Sequence, residues 1–137
     1  MKVLLAEPPQ LFLEGNGETR QAQQLGLGYI GAVLAAENDV RFLLPDTRSY
    51  RGADPWGEIE RAIADEAPDV VGITAVTANY LLASALASVV KRVDEGICVV
   101  IGGVHASTEP IAALTGAPDV DFVIQGEGEQ TMLELVR

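Results

Sequence analysis

Glycines, hydroxyls and a single imidazole, rather than clustered acids or nucleophiles, are the groups whose spacing could do chemistry in this sequence. They gather in Thr74-Ala75-Val76-Thr77, in Gly102-Gly103-Val104-His105-Ala106-Ser107 and in Gly126-Glu127-Gly128-Glu129. Each stretch follows a short, largely β-branched apolar run, at 70–73, 97–101 and 122–124, of the kind that forms a strand buried on both faces. The Gly102-Gly103 pair removes two Cβ atoms and permits positive φ, so a flat or bulky ligand could lie against the peptide itself. Small residues and hydroxyls at such positions suit holding a large ligand by backbone groups and helix N-termini. The plainer account of the glycine pair is a tight strand-to-helix turn.

The elements that must position these stretches are legible as alternating periods. Strands are expected at 2–6, 40–44, 70–73, 97–101 and 122–124, each short and nearly all apolar. Between the third and fourth, Leu81, Leu82, Ala85, Leu86, Val89, Val90 and Val93 recur at helical spacing. Asp54-Pro55 ahead of Trp56, Ile59 and Ile63 predicts an N-cap with proline in the first turn, and Ser107-Thr108-Glu109-Pro110 repeats the device. The alternation predicts an α/β, doubly wound fold of flavodoxin-like Rossmann type. It has a five-stranded parallel sheet in the order 2-1-3-4-5 and helices on both faces. Ligands of such sheets bind outside the carboxyl ends of the strands, near the switch point beside the first strand, which is where the chemistry-bearing stretches fall. The first strand also leads into Glu7-Pro8-Pro9 and a polar loop running to about Gln24, a length that marks a functional or an unordered connection.

Bulk properties narrow the function classes. The 137 residues fit one domain with a real core. The hydrophobic fraction is 48% and the mean hydropathy +0.21, yet no uncharged apolar run approaches the roughly 20 residues that span a bilayer, so the apolar excess is expected in central strands. No signal-peptide pattern follows Lys2, and one cysteine cannot form an internal disulfide, so a cytoplasmic, reducing compartment is expected. Nine basic against twenty acidic residues, a net charge of −11, argue against nucleic acid or an anionic membrane as partner. His105 is the only histidine, which leaves no histidine dyad or multi-histidine metal site within the chain, and Cys98 reads as inert core.

Three familiar sites are poor matches. Gly26-Leu27-Gly28-Tyr29-Ile30-Gly31 spells GxGxxG, but about twenty residues separate it from the first strand, whereas the dinucleotide fingerprint sits directly after that strand. Its glycines instead suit a helix N-terminus that packs closely on the sheet or on a ligand. A phosphoacceptor receiver needs clustered carboxylates and a lysine after the fifth strand; Thr74 ends the third strand here, and no lysine lies beyond Lys91. FMN binding in this architecture needs a phosphate loop directly after the first strand, where this chain has Pro8-Pro9.

With the loops assembled in order, the chain resembles the N-terminal cobalamin-binding domain of radical S-adenosylmethionine enzymes. That group includes anaerobic magnesium-protoporphyrin monomethyl ester cyclase and many methyltransferases. The matching pieces are Met1-Lys2-Val3-Leu4-Leu5 running to Pro8-Pro9, Leu25-Gly26-Leu27-Gly28-Tyr29-Ile30, Asp69-Val70-Val71-Gly72-Ile73-Thr74, Gly102 to Ser107, and Asp121-Phe122-Val123-Ile124-Gln125-Gly126-Glu127-Gly128-Glu129. The resemblance implies cobalamin as cofactor, with Pro8, Gly26, Leu27, Gly28, Thr74, Val76, Thr77, Gly102, Gly103, His105, Ala106, Gly126 and Glu127 as its expected contacts. Among these, Thr74, Val76, Gly102 and Gly103 are expected to line the pocket of the nucleotide tail, while loop 8–28 and His105 lie nearer the corrin or tail.

Domains of this kind that give cobalt a histidine do so from Asp-x-His-x-x-Gly after the first strand; no histidine stands there, so base-off binding without a protein imidazole is implied. No residue is expected to be catalytic or to ligate metal. Family members continue into a radical domain whose Cys-x-x-x-Cys-x-x-Cys motif holds a [4Fe-4S] cluster and S-adenosylmethionine, which a chain with one cysteine cannot supply. The last residues, 130–137, read as an uncapped helix. Residues 1–137 are therefore expected to be one cobalamin-binding domain of a longer enzyme, with that enzyme's C-terminal radical domain as partner. Two alternatives stay open: a docking domain that keeps the fold without cobalamin, and a binder of FMN or a small nucleotide.

Overall fold

The structure is a computed structural model, and it describes residues 1–9, 25–45 and 54–137. Five strands form one parallel sheet: β1 (Lys2–Ala6), β2 (Asp39–Leu43), β3 (Val70–Thr74), β4 (Cys98–Gly102) and β5 (Phe122–Val123). Their spatial order is β2-β1-β3-β4-β5, the doubly wound arrangement expected from the alternation. Among the described residues six helices join them: α1 (Leu25–Leu34), α2 (Pro55–Glu66), α3 (Tyr80–Val93), α4 (Val104–Thr108), α5 (Pro110–Thr115) and α6 (Glu129–Leu135), with a 3-10 turn at Thr77–Asn79 ahead of α3. The fold class and strand order read from the sequence are those observed. The long connection expected after β1 lies largely outside the described residues.

Side chains alternate across the strands and divide the core in two. Leu4 and Ala6 of β1, Val71 and Ile73 of β3, and Val99 and Ile101 of β4 pack with Ile59 and Ile63 of α2 and Ala83, Leu86, Ala87 and Val90 of α3. On the opposite face Val3 and Leu5, Val70, and Val100 pack with Leu27 and Leu34 of α1 and Met132, Leu133 and Val136 around α6. Leu86 is fully buried, and truncating it to alanine would cost about 2–5 kcal/mol.

Several local expectations are corrected. Of the expected stripe of α3, Leu86, Val89 and Val90 are buried and Val93 packs against the core, but Leu81 is 81% exposed and Ala83 and Ala87 take inward positions. Among the described residues β2 pairs with β1 alone, the edge position that the expected strand order gives it, and Phe42 is 49% exposed. Asp54 occupies the N-cap of α2 ahead of Pro55, but its side chain makes no capping hydrogen bond. At 107–110 the expected cap is replaced by two short helices: Thr108 lies inside α4 and bonds back to the carbonyl of Val104, and Glu109 precedes Pro110 at the start of α5 without a side-chain cap. The last helix, expected over 130–137, ends at Leu135, and Arg137 beyond it forms a two-point ion pair with Glu37 after α1. Hydrogen bonding to Arg137, together with its charge, holds the Glu37 carboxyl below the usual carboxylate range.

Candidate functional site

A cleft opens at the carboxyl ends of β1, β3 and β4, between the sheet and helices α1 and α6. Its origin lies in how α1 meets the sheet. A Cβ on Gly31 would come 2.5 Å from Cζ of Phe42 and 3.5 Å from Cδ1 of Leu5, so the carboxyl half of α1 lies hard against β1 and β2. At the amino half, Gly26 and Gly28 have no other heavy atom within 4 Å of a built Cβ. Gly26 and Gly28 are exposed there, while Leu27 between them is buried in the core.

The floor is nearly free of side chains. Gly72 of β3 and Gly102 of β4 face α1 and α6 because they alternate with the buried Val71, Ile73 and Ile101. A Cβ on Gly72 would approach Cδ2 of Leu5 to 3.0 Å and Cε of Met132 to 3.4 Å, so the inner end of the cleft is sealed by apolar contact. At the outer end a Cβ on Gly102 meets nothing nearer than the carbonyl oxygen of Ile124 at 4.0 Å. Leu5, Leu27, Ile30, Val100, Ile124 and Met132 supply apolar walls, and Thr74 sets a hydroxyl among them. The arrangement can hold a flat, mainly apolar group edge-on between sheet and helices, with polar atoms left at the mouth.

The mouth is shaped by two glycine turns. Gly103, with φ of 96°, follows β4, and Gly126, with φ of 76°, follows β5. At Gly103 a Cβ would lie 2.7 Å from the carbonyl oxygen of Ala75 and 2.9 Å from Oγ1 of Thr74, so only glycine fits. The two glycines of the pair therefore differ: Gly103 has no room for a Cβ, whereas Gly102 has. Glu127 and Glu129 flank the mouth, and among the described residues no lysine, arginine or histidine lines it.

Of the residues singled out in the sequence, Gly26, Leu27, Thr74, Gly102, Gly103, Gly126 and Glu127 come together on this cleft. Pro8 is buried beyond β1, and Gly28 is exposed on α1. Val76 and Thr77 lie exposed after β3, and Ala106 is in the core on the α3 side of the sheet. His105 is 9% exposed, stacked under Tyr80 with ring centroids 4.2 Å apart. Its Nδ1 lies 3.3 Å from Oγ1 of Thr77, and its Nε2 is buried without a hydrogen-bond partner among the described residues. Tyr80 donates its hydroxyl to the carbonyl of Ala113 at 3.0 Å, and burial pushes its pKa up.

Gly72, Ile30, Ile124, Gly128 and Met132 line the cleft but were not singled out. For Gly72 a signal existed, since glycine inside an apolar strand marks close approach of another group. Cys98 lies at the far, amino end of β4. There burial first, and the nearby Asp121 carboxylate second, push its thiol pKa up against the pull of Lys91, which keeps it a neutral thiol at neutral pH. Among the described residues no group of three or more acidic, histidine or cysteine side chains is placed to hold a metal ion, and no helix is long and apolar enough to cross a membrane.

The chain is 33% identical over 99% of its length to an uncharacterized methyltransferase of Pyrococcus horikoshii. It is 37% identical over 58% of its length to the anaerobic magnesium-protoporphyrin IX monomethyl ester cyclase of Rubrivivax gelatinosus. To the 2-(S-pantetheinyl)-carbapenam-3-carboxylate methyltransferase of Streptantibioticus cattleyicolor it is 33% identical, again over 58% of its length. The aligned portions span 29%, 14% and 11% of those three proteins. The B12 binding domain family matches residues 20–136. On that match, which takes in the cleft from Gly26 to Met132, the chain belongs to the B12 binding domain family.

Proposed function

We propose that this chain binds cobalamin base-off, with the dimethylbenzimidazole tail lying in the cleft over Gly72 and Gly102 and the corrin outside the carboxyl edge of the sheet. The observation that carries the reading is the glycine floor under apolar walls, open at Gly102 and sealed at Gly72 by Leu5 and Met132. A flat heterocycle gains from the walls by burying apolar area, and it meets no Cβ on the floor. Leu27, Ile30 and Met132 would bear on the tail, Thr74 would meet its polar edge, and Gly126 would let the chain pass close by. The chemistry that a bound corrinoid brings is methyl carriage or one-electron transfer at cobalt.

The reading of a lower cobalt face without a protein imidazole is supported by His105, which is buried beneath Tyr80 and is not among the cleft-lining residues. Among the described residues neither lysine nor arginine lines the cleft, and Glu127 and Glu129 stand at its mouth, which disfavours FMN, whose dianionic phosphate calls for donors or cations. In the longer protein, by the resemblance given above, this domain presents cobalamin to a radical domain holding S-adenosylmethionine and a [4Fe-4S] cluster, for methyl transfer or ring formation. Mixing the chain with hydroxocobalamin and desalting it tests the binding. Retained corrin bands with a base-off spectrum support the reading, and a colourless protein would leave only the docking role.

A further inference from the structure

Ser107 lies just outside the cleft, on the short helix α4, and joins the two turns that form its mouth. Its Oγ donates to the carbonyl oxygen of Gly103 at 2.9 Å and accepts the backbone N–H of Gly126 at 3.0 Å. A serine hydroxyl has one proton, so with that proton committed to Gly103 a lone pair is directed at Gly126. The helix itself fixes the donor, because the backbone N–H of Ser107 bonds the same Gly103 carbonyl at 3.0 Å. A second tie runs from the side-chain amide of Gln125 to the Ser107 carbonyl at 3.2 Å. Gly103 and Gly126 are the two glycines of the described residues with positive φ, and both line the cleft.

We infer that Ser107 is a positioning residue for the cofactor: its hydroxyl clamps the turn after β5 to the turn after β4 and so sets the width of the mouth through which the nucleotide tail is held. This rests on the cobalamin reading above. The Gly126 turn has nothing within 4 Å of a built Cβ, and Gly126 is exposed, so the clamp is local and its loss leaves both cores untouched. The loop that closes on the tail loosens, while the sheet does not.

The test compares wild type with Ser107→Ala and Ser107→Thr in three measurements: hydroxocobalamin affinity by absorbance, thermal midpoint, and hydrogen exchange of the Gly126 amide. Ser107→Ala is expected to weaken binding about five- to tenfold, the effect of one hydrogen bond, and to speed Gly126 exchange with little change in midpoint. Ser107→Thr, which keeps the hydroxyl, is expected to restore both. Equal affinity of the alanine variant, unchanged Gly126 exchange, or failure of threonine to rescue would overturn the clamp while leaving the cobalamin reading intact. A wild-type chain that takes up no hydroxocobalamin would overturn that reading and this inference with it.

Discussion

Replacing Gly102 by leucine puts the side-chain-free floor to a quantitative test. Gly102 has no positive φ and its built Cβ meets nothing nearer than 4.0 Å, so the backbone accepts a side chain there. That side chain must enter the cleft, because Gly102 alternates with the core-facing Ile101 and lines the cavity. A benzimidazole is of the size of the larger aromatic side chains, which bury about 150–250 Å² each. If leucine denies it contact over about 100 Å², the loss at about 25 cal/mol per Å² is about 2.5 kcal/mol. That corresponds to roughly seventyfold in Kd. Gly102→Ala removes far less room and is expected to weaken binding by less than about tenfold. The assay is titration with hydroxocobalamin followed at the corrin bands, with circular dichroism and a melting curve to show that each variant is folded. A folded leucine variant that binds within threefold of wild type would refute the placement of the tail over β4.

Gly103→Ala is expected to act differently, destabilising the whole domain by about 1–3 kcal/mol, because its φ of 96° and the Ala75 carbonyl leave no place for a Cβ; a melting curve checks this. Thr74→Val keeps the bulk of the side chain but deletes the hydroxyl on the cleft wall, and is expected to weaken cobalamin binding by about 1 kcal/mol without lowering the thermal midpoint, as read by parallel titration and melting. Asp121 bears on acid stability: burial raises its pKa but is outweighed by hydrogen bonds from Lys91 and the Val99 N–H, both 2.8 Å, so the carboxyl titrates below its ordinary value. Its stabilisation is therefore fully present above the ordinary carboxylate pKa and is lost as pH falls through the depressed folded value. Asp121→Asn is expected to cost about 1 kcal/mol at neutral pH, since the side chain is 40% exposed, and to flatten the acid limb of a denaturation profile.

The parts of the fold that were legible in the sequence are those written locally. Apolar runs such as 97–101, each closed by glycines or hydroxyls, mark buried parallel strands whatever surrounds them, and their alternation with helical segments leaves few topologies. The cleft was half legible for the same reason: Thr74, Gly102, Gly103 and Gly126 follow strands, and the carboxyl edge is where such sheets bind. Gly72 and Met132, which set the floor and inner wall, meet only because β3 and α6 are brought to one face by crossovers that no local pattern encodes. The start of the α3 stripe was hidden by composition, since leucines and alanines fall on both sides of the helix: Leu81 is exposed and Ala83 buried. His105 shows how sequence position and direction differ. It follows the glycine pair, yet α4 turns it to the other side of the sheet, under Tyr80.

The claim that the cleft grips the nucleotide tail is tested most directly by comparing hydroxocobalamin with cobinamide, the corrinoid that lacks the tail, on the same chain. If the tail is the anchor between β3, β4 and α6, cobinamide should bind at least about a hundredfold more weakly, the loss of roughly 3 kcal/mol of buried apolar contact. Equal affinity for the two corrinoids would contradict it.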